Sequence, residues 1–368
     1  MMRVLYVFNR MGIGGAETMI MNILRQRMLH DFNFDFVVHT SKKGEYDDEI
    51  RAMGGQIFIC PAFSLTNILA YKRWWKSFLQ NNKYDIVHGN YRRSAAIYLH
   101  EAKKNGVSTI MHTHSASSRS GLSVLRKIPA TLIYHYSDAI FACSQKAAIW
   151  LFGKKILQDR KIKIINNGID MKQYVFAQAV RKRYRNKLNL QTKFVVCHIG
   201  RFAPMKNHKF LIDVFTEIKK IKNNACLILV GDGELRKKIE TYVKETRVED
   251  VMFLGIRRDV PNLLQAADVF VLPSLFEGLP VSLVEAQAAS LPCVFADTIT
   301  KEAVISNNAK SLSLSLGAGV WAQEIINVTK IVSRVARDYS FNPFDIRVSS
   351  LSVIESYRDI FQNGRLNN

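Results

Sequence analysis

From the second residue onward, short runs of β-branched and aromatic residues alternate with longer amphipathic stretches almost to the end of the chain. Each apolar run suits a strand buried on both faces, and each intervening stretch is long enough for a helix. That alternation marks βαβ units and a parallel sheet. Strands are expected near residues 4–8, 34–38, 56–59, 86–88, 109–112 and 139–142, with helical patterns such as 16–28 and 94–104 between them. A second series is expected at 194–199, 226–230, 251–254, 269–272 and 293–295. Between the two series, residues 171–189 lack an apolar run and carry Arg181, Lys182, Arg183, Arg185 and Lys187, so they read as a connector. The fold class is therefore α/β, with two Rossmann-like domains whose parallel sheets face a cleft. A chain of 368 residues suits two domains of ordinary size. The expected division is 1–175, 190–345, and a C-terminal helix over 346–368 that packs back toward the first domain.

The composition narrows the class. No stretch reaches the roughly 18–20 apolar residues needed to cross a bilayer. The opening MMRVLYVFNR reads as a first buried strand, because Asn9 and Arg10 stand where a signal peptide would continue. Cys60, Cys143, Cys197, Cys226 and Cys293 lie in apolar runs with no CxxC pair, which points to buried thiols in the cytoplasm and away from structural zinc. The formal net charge is +21. Residues 1–180 hold 25 Lys and Arg against 12 Asp and Glu, and residues 181–368 hold 27 against 19. Such an excess favours anionic partners, namely nucleotides or phospholipid head groups. Nucleic acid is the weakest of the anionic partners and is not expected, since no recognisable reader motif occurs.

Ligands of open α/β sheets bind beyond the carboxyl ends of the strands, so the strand exits carry the functional signal. The first exit, Asn9 to Glu17, places Gly12, Gly14 and Gly15 before a helix. It is either a plain tight turn or a loop that lets backbone approach an anion. It is neither GxGxxG nor a Walker A loop. A second exit, Gly200 to His208, carries Arg201 and Lys206 five residues apart, a spacing that could clamp a diphosphate. The third exit, Pro273 to Ala286, holds Glu277 before a Gly/Pro turn and Glu285 within the helix that follows. Carboxylates are natural acceptors for sugar hydroxyls. Glu285 sits in an apolar stretch where burial without a partner is costly, so a ligand or a salt bridge is expected there.

Taken in order, Gly14-Gly15-Ala16-Glu17, Asn167-Gly168-Ile169-Asp170, Gly200-Arg201 with Lys206-Asn207, Gly231-Asp232-Gly233 and Glu277-x7-Glu285 carry a resemblance. The chain resembles the retaining GT-B glycosyltransferases of family GT4, close to the bacterial exopolysaccharide and capsule branch. The likeness covers nearly the whole chain and is strongest over 194–300. It implies that Arg201 and Lys206 neutralise the donor diphosphate, that Glu277 contacts the donor sugar and that Glu285 binds the ribose hydroxyls. It further implies that backbone around Gly278, Leu279 and Val281 approaches the phosphates or sugar. Ile256 and Arg257 would frame the base, and the Gly14–Gly15 loop would close on the donor from the first domain. A histidine at a first-domain strand exit is implied near the reacting sugar. His114 is the choice for that role, and His112 reads as packed. Two departures stand out: Pro280 replaces a common Gly and cannot donate an N–H, and Ser290 replaces a common Gly in the following turn.

The resemblance implies transfer with retention from a nucleotide-sugar, with UDP favoured over GDP, to a polyprenyl-diphosphate-linked saccharide. With no second carboxylate placed as a nucleophile and no DxD-type motif, a front-face route without metal or other cofactor is expected. The basic, Trp-bearing segment 71–79 is a candidate surface for an anionic membrane, as is 119–127; the alternative for 71–79 is a helix packing Trp74, Phe78 and Leu79 into its own core. A peripheral position on the inner face of the cytoplasmic membrane follows. Two rival functions share these features: a GT-B-fold sugar-nucleotide 2-epimerase, and a non-catalytic nucleotide- or lipid-binding module.

Overall fold

The computed structural model describes residues 1–26, 32–114, 124–331, 334–337, 339 and 342–366; of residues 124–129 and 363–366 it describes the backbone. The chain divides into two units, residues 1–169 with 343–368, and residues 170–342.

The strands of unit 1 are β1 (Met2–Phe8), β2 (Phe32–Val38), β3 (Ile57–Ile59), β4 (Ile86–Gly89), β5 (Ser108–Thr113), β6 (Ala139–Ala142) and β7 (Ile162–Ile164). They form one parallel sheet in the order β3-β2-β1-β4-β5-β6-β7. Helices cover both faces, which is why the strands read as unbroken apolar runs. Along β1, Val4, Tyr6 and Phe8 enter one core with Ile20, Ile23 and Phe36, while Leu5 and Val7 enter the other with Trp75, Val87 and Leu99.

Unit 2 repeats the arrangement with β8 (Phe194–Ile199), β9 (Ala225–Val230), β10 (Val251–Gly255), β11 (Val269–Leu272), β12 (Cys293–Ala296) and β13 (Ala309–Leu312). Its parallel order is β10-β9-β8-β11-β12-β13. One core layer gathers Val196, Leu211, Phe215, Leu229, Val271 and Trp321.

The chain returns to unit 1 at its end. Ile169 and Asp345 form a parallel bridge, and the helix Ile346–Leu366 places Ile346, Val353, Ile354 and Tyr357 in the unit 1 core. Gly168 permits this contact: a Cβ there would lie 2.8 Å from the Ile346 Cα and 2.7 Å from Ser349 Oγ. The glycine of Asn167-Gly168-Ile169-Asp170 thus marks where the returning backbone crosses.

Residues 171–189, expected as a connector, are instead two helices, Met171–Tyr174 and Gln178–Lys187. The charges that suggested a solvated linker are engaged. Arg181 and Arg185 donate to the carbonyls of Gln265, Ala266 and Ala267, and pair with Asp268 at 2.5 and 3.2 Å. Arg334 donates to Gln265 and Ala267 as well. Cations satisfy the unpaired carbonyls at the end of the helix Val260–Ala266, a favourable place for positive charge. All five cysteines are buried thiols, none of them in a disulfide. Among the described residues no helix is long and apolar enough to cross a membrane.

Candidate active site

In each sheet the strand order reverses once, between β1 and β4 and between β8 and β11. The carboxyl ends at such a reversal diverge and leave a crevice for a ligand. Gly14 and Gly15 follow β1, Arg201 and Lys206 follow β8 and Glu277 follows β11, whereas His114 follows β5 and Ile256 follows β10.

In unit 2, β8 runs into Gly200, whose amide donates to the Val230 carbonyl at 2.9 Å. A Cβ at Gly200 would lie 3.0 Å from His198 Nε2 and 3.1 Å from Lys206 Cε, so the glycine lets the lysine stem fold back across the strand end. The β9 exit supports this loop from behind. A Cβ at Gly231 would meet the Gly200 carbonyl at 2.1 Å, and one at Gly233 the Phe202 carbonyl at 2.6 Å, which explains the Gly231-Asp232-Gly233 motif. The loop ends in the 3₁₀ turn Pro204–Lys206 and in Asn207 at φ 55°, a left-handed residue that starts the helix His208–Ile221.

The exits of β8 and β11 meet. The Leu275 amide donates to the Met205 carbonyl at 2.8 Å, and Lys206 Nζ lies 2.5 Å from Glu277 Oε1. Ser274, fully buried, donates its hydroxyl to the same oxygen at 2.8 Å, and Thr298 Oγ1 donates to the Ser274 carbonyl at 2.7 Å. The two charged side chains retain 14% and 10% of their exposure, so the pair is largely removed from water. Glu277 Oε1 therefore takes two donors, Lys206 Nζ and Ser274 Oγ, and both leave Oε2 aside. Arg201 stands apart from this pair: its side chain is 69% exposed and its guanidinium lies 3.1 Å from Glu234.

Glu285 accepts a hydrogen bond from the Tyr174 hydroxyl at 2.7 Å. Burial raises the carboxyl above its ordinary range, and the tyrosine hydrogen bond opposes that rise. A neutral donor satisfies the group without the desolvation cost of a second charge. Glu285 lies on the helix Val281–Ala288, capped by the buried Pro280, with Leu279 buried and Gly278 and Val281 half-buried beside it. Ile256 is exposed beyond β10, followed by Arg257, which pairs with Asp259 at 2.6 Å.

In unit 1, Gly14 precedes the helix Gly15–Leu24. A Cβ at Gly14 would meet Glu17 Oε2 at 2.4 Å, so a larger residue here would push the Glu17 carboxylate aside. His114, just past β5, lies 2.9 Å from Asn90 Oδ1 through Nε2 and 3.2 Å from Asn167 Oδ1 through Nδ1. Burial pushes its imidazole down to about 4, so it is neutral near pH 7. His112 is fully buried, as its strand position suggested. Its Nδ1 lies 3.1 Å from His88 Nε2, and His88 Nδ1 lies 2.5 Å from the Tyr357 hydroxyl on the C-terminal helix. Sequence reasoning missed Ser274, Tyr174 and Asn90. Ser274 precedes Glu277 by three residues, the local spacing that could have flagged it.

Comparison with known proteins fits this geometry to a family. Residues 13–173 match the model of Glycosyltransferase Family 4, and residues 180–336 match that of Glycosyl transferases group 1. EpsF of Bacillus subtilis, named as a glycosyltransferase, is 32% identical over 332 residues, spanning 88% of this chain and 86% of EpsF. The chain belongs to the GT4 glycosyltransferases. An Escherichia coli relative of this GT4 protein, UDP-Gal:alpha-D-GlcNAc-diphosphoundecaprenol alpha-1,3-galactosyltransferase, is 28% identical over 341 residues, 86% of each chain. The fold recurs in Anabaena HepE, solved with UDP and glucose, at a TM-score of 0.80 and 20% identity over 97% of this chain and 99% of HepE. The GT4 fold is GT-B. Among the described residues no group of three or more His, Cys, Asp and Glu side chains is placed to hold a metal ion.

Proposed function

We propose that this GT4 protein is a retaining hexosyl- or N-acetylhexosaminyltransferase. It takes the sugar from a nucleotide-sugar, a UDP-sugar first, and delivers it to a polyprenyl-diphosphate-linked saccharide during cell-surface polysaccharide synthesis. The observation that carries the reading is the Lys206–Glu277–Ser274 cluster at the β8/β11 reversal, where a cation for a diphosphate and an oriented carboxylate for a sugar occur side by side. The E. coli relative's name supports the donor and acceptor classes, giving a UDP-sugar, a diphosphoundecaprenol-linked saccharide and an α-1,3 linkage. From an α-glycosyl diphosphate, an α-linked product is retention.

In this reading Lys206 neutralises the diphosphate, and Arg201 joins it by rotating off Glu234. An exposed ion pair of that kind is worth at most about 1 kcal/mol, so the exchange costs little. Glu277 accepts hydroxyl hydrogens of the donor sugar through Oε2, while Ser274 and Lys206 hold Oε1. Glu285 takes the ribose, with backbone at Gly278, Leu279 and Val281 near the phosphates and Ile256 near the base. Gly14, Gly15 and His114 are the proposed donor contacts of unit 1. The acceptor oxygen attacks the anomeric carbon as the bond to the leaving phosphate oxygen breaks. The acceptor proton passes to that phosphate oxygen, so no enzyme nucleophile is required. Charge grows on the diphosphate in the transition state, where Lys206 and Arg201 contribute most to rate. The reaction proceeds without divalent cation, and the protein works as a peripheral protein on the inner face of the cytoplasmic membrane.

The test is a transfer assay with a UDP-sugar and a short polyprenyl-diphosphate saccharide in the presence of chelator, with the product's anomeric configuration read by NMR. An α-linked product, lost in Glu277→Ala while UDP binding persists, is expected. An inverted product, or turnover that requires added magnesium, contradicts the mechanism.

A further inference from the structure

In the segment 71–79 two tryptophans sit among basic residues. The structure assigns those tryptophans elsewhere. Tyr71 and Trp75 are fully buried, Phe78 and Leu79 are buried, and Trp74 stacks on Phe78 with ring centroids 4.9 Å apart. The aromatic face of the helix Ile68–Asn81 is core, so tryptophan anchoring in a lipid interface is not what this helix offers. The second basic segment, 119–127, lies on residues whose side chains are outside the described set.

What the helix leaves outside is apolar and one turn earlier. Leu65 in the 3₁₀ turn Leu65–Asn67 is 83% exposed, and Leu69 at the helix start is 74% exposed, with Ile68 partly exposed between them. At 100° per residue, the exposed Ile68, Leu69, Lys72, Arg73 and Lys76 fall within an arc of about 140°, whereas the packed positions 71, 75 and 78 fall in a separate arc of about 60°. The strip is thus apolar at its tip and basic over the next two turns. Lys72, Arg73 and Lys76 are exposed; Lys72 lies 3.7 Å from Glu101, so its charge is shared. The tip is also tied back by hydrogen bonds. Asn67 Oδ1 accepts the Ser64 amide at 2.9 Å, and Asn67 Nδ2 donates to the Ala62 carbonyl at 2.7 Å. A pre-ordered apolar tip loses little entropy when it is covered.

We propose that Leu65, Ile68 and Leu69 form a wedge that enters the interfacial layer of an anionic bilayer, with Arg73 and Lys76, and Lys72 in part, meeting the lipid phosphates. The occupant follows from charge complementarity: an apolar tip collared by cations on a chain of net charge +21 matches an acidic lipid surface. The inference deepens the membrane-side reading above, and its test does not depend on transfer activity.

The full chain is sedimented with vesicles of equimolar phosphatidylglycerol and phosphatidylcholine, and with pure phosphatidylcholine vesicles, at low and high salt. Wild type pellets with the anionic vesicles. Leu65→Ser/Leu69→Ser lowers its partition coefficient by about 10- to 100-fold, as expected for withdrawing two partly inserted leucines. Arg73→Glu/Lys76→Glu lowers it by at least about tenfold on anionic vesicles and leaves phosphatidylcholine binding unchanged. Both variants keep the wild-type melting temperature, because the replaced side chains are exposed. Equal pelleting of the leucine variant and wild type overturns the proposal, as does failure of wild type to pellet. A concentration-dependent dimer that the leucine variant abolishes would assign the patch to a second copy of the chain and also overturn it. UDP binding by both variants is wild-type in every case, so failure here leaves the donor-site reading standing.

Discussion

Glu277→Gln removes one negative charge from the β8/β11 crevice while leaving an oxygen for Ser274 and Lys206. Because both charged side chains are largely shielded from water, the pair belongs to the class in which losing one partner is costly. Truncation to Ala strands the Lys206 ammonium and the Ser274 hydroxyl and should destabilise unit 2 by about 3–5 kcal/mol. Gln keeps the hydrogen bonds and loses only their charge assistance, so its cost should be nearer 1.5–3 kcal/mol. The effect on ligands has the opposite sign. In the free protein Glu277 competes with an incoming diphosphate for Lys206, so the Gln variant should bind UDP at least as tightly as wild type while transferring sugar more slowly. Urea unfolding, with hydrogen exchange read on β8 and β11, measures the first quantity, and calorimetric titration with UDP measures the second. A Gln variant within about 0.5 kcal/mol of wild type would show the pair to be screened by solvent. UDP affinity that falls together with stability would place Glu277 in holding the loop rather than in meeting the sugar.

Three further outcomes are expected. Ser274→Ala frees Glu277 Oε1 from one donor and should lower kcat about tenfold with little change in UDP affinity; a rise in KM alone would assign Ser274 a purely structural role. Ser290 sits at φ 53° with a buried hydroxyl that has no hydrogen-bond partner among the described residues, so Ser290→Gly should stabilise the protein by about 1–2 kcal/mol in denaturant unfolding, and a loss of stability would contradict this. Burial holds His39 and His208 down to about 4 and His88 to about 3, against 6.5 in the unfolded chain. Below pH 6.5 the unfolded chain binds protons that the folded one refuses, so stability present above that pH drains away toward pH 4. Each histidine contributes a slope of up to about 1.4 kcal/mol per pH unit, and equal unfolding midpoints at pH 7.5 and 5.5 would refute the assignment.

How much of this was legible in the sequence depends on burial. Strands covered on both faces, such as Val269–Leu272, announce themselves as apolar runs, and all eleven expected strands are present. The two that escaped, Ile162–Ile164 and Ala309–Leu312, end their sheets, where Lys163 and Lys310 break the apolar pattern. Charge density in residues 171–189 reads as solvation in the sequence, whereas in the fold Arg181 and Arg185 serve carbonyl oxygens at a helix end. At the site, Lys206 and Glu277 stood out as charged residues at strand exits, and the structure brings them together. Their supports did not stand out, because Ser274, Tyr174 and Asn90 are ordinary polar residues whose value lies in position. Ser290 was noticed as a departure from glycine, and its left-handed backbone supplies the reason for the glycine.

The central claim is a nucleotide-sugar site at the β8/β11 reversal, and melting of the full chain with UDP, GDP, ADP and CMP in chelator tests it most directly. At 100 times its dissociation constant a ligand adds about 2.7 kcal/mol, which for a unit of this size raises the melting temperature by about 5–10 °C. Such a rise is expected with UDP, and its absence in Lys206→Ala. No rise with any nucleotide, or a rise that Lys206→Ala retains in full, would contradict the claim.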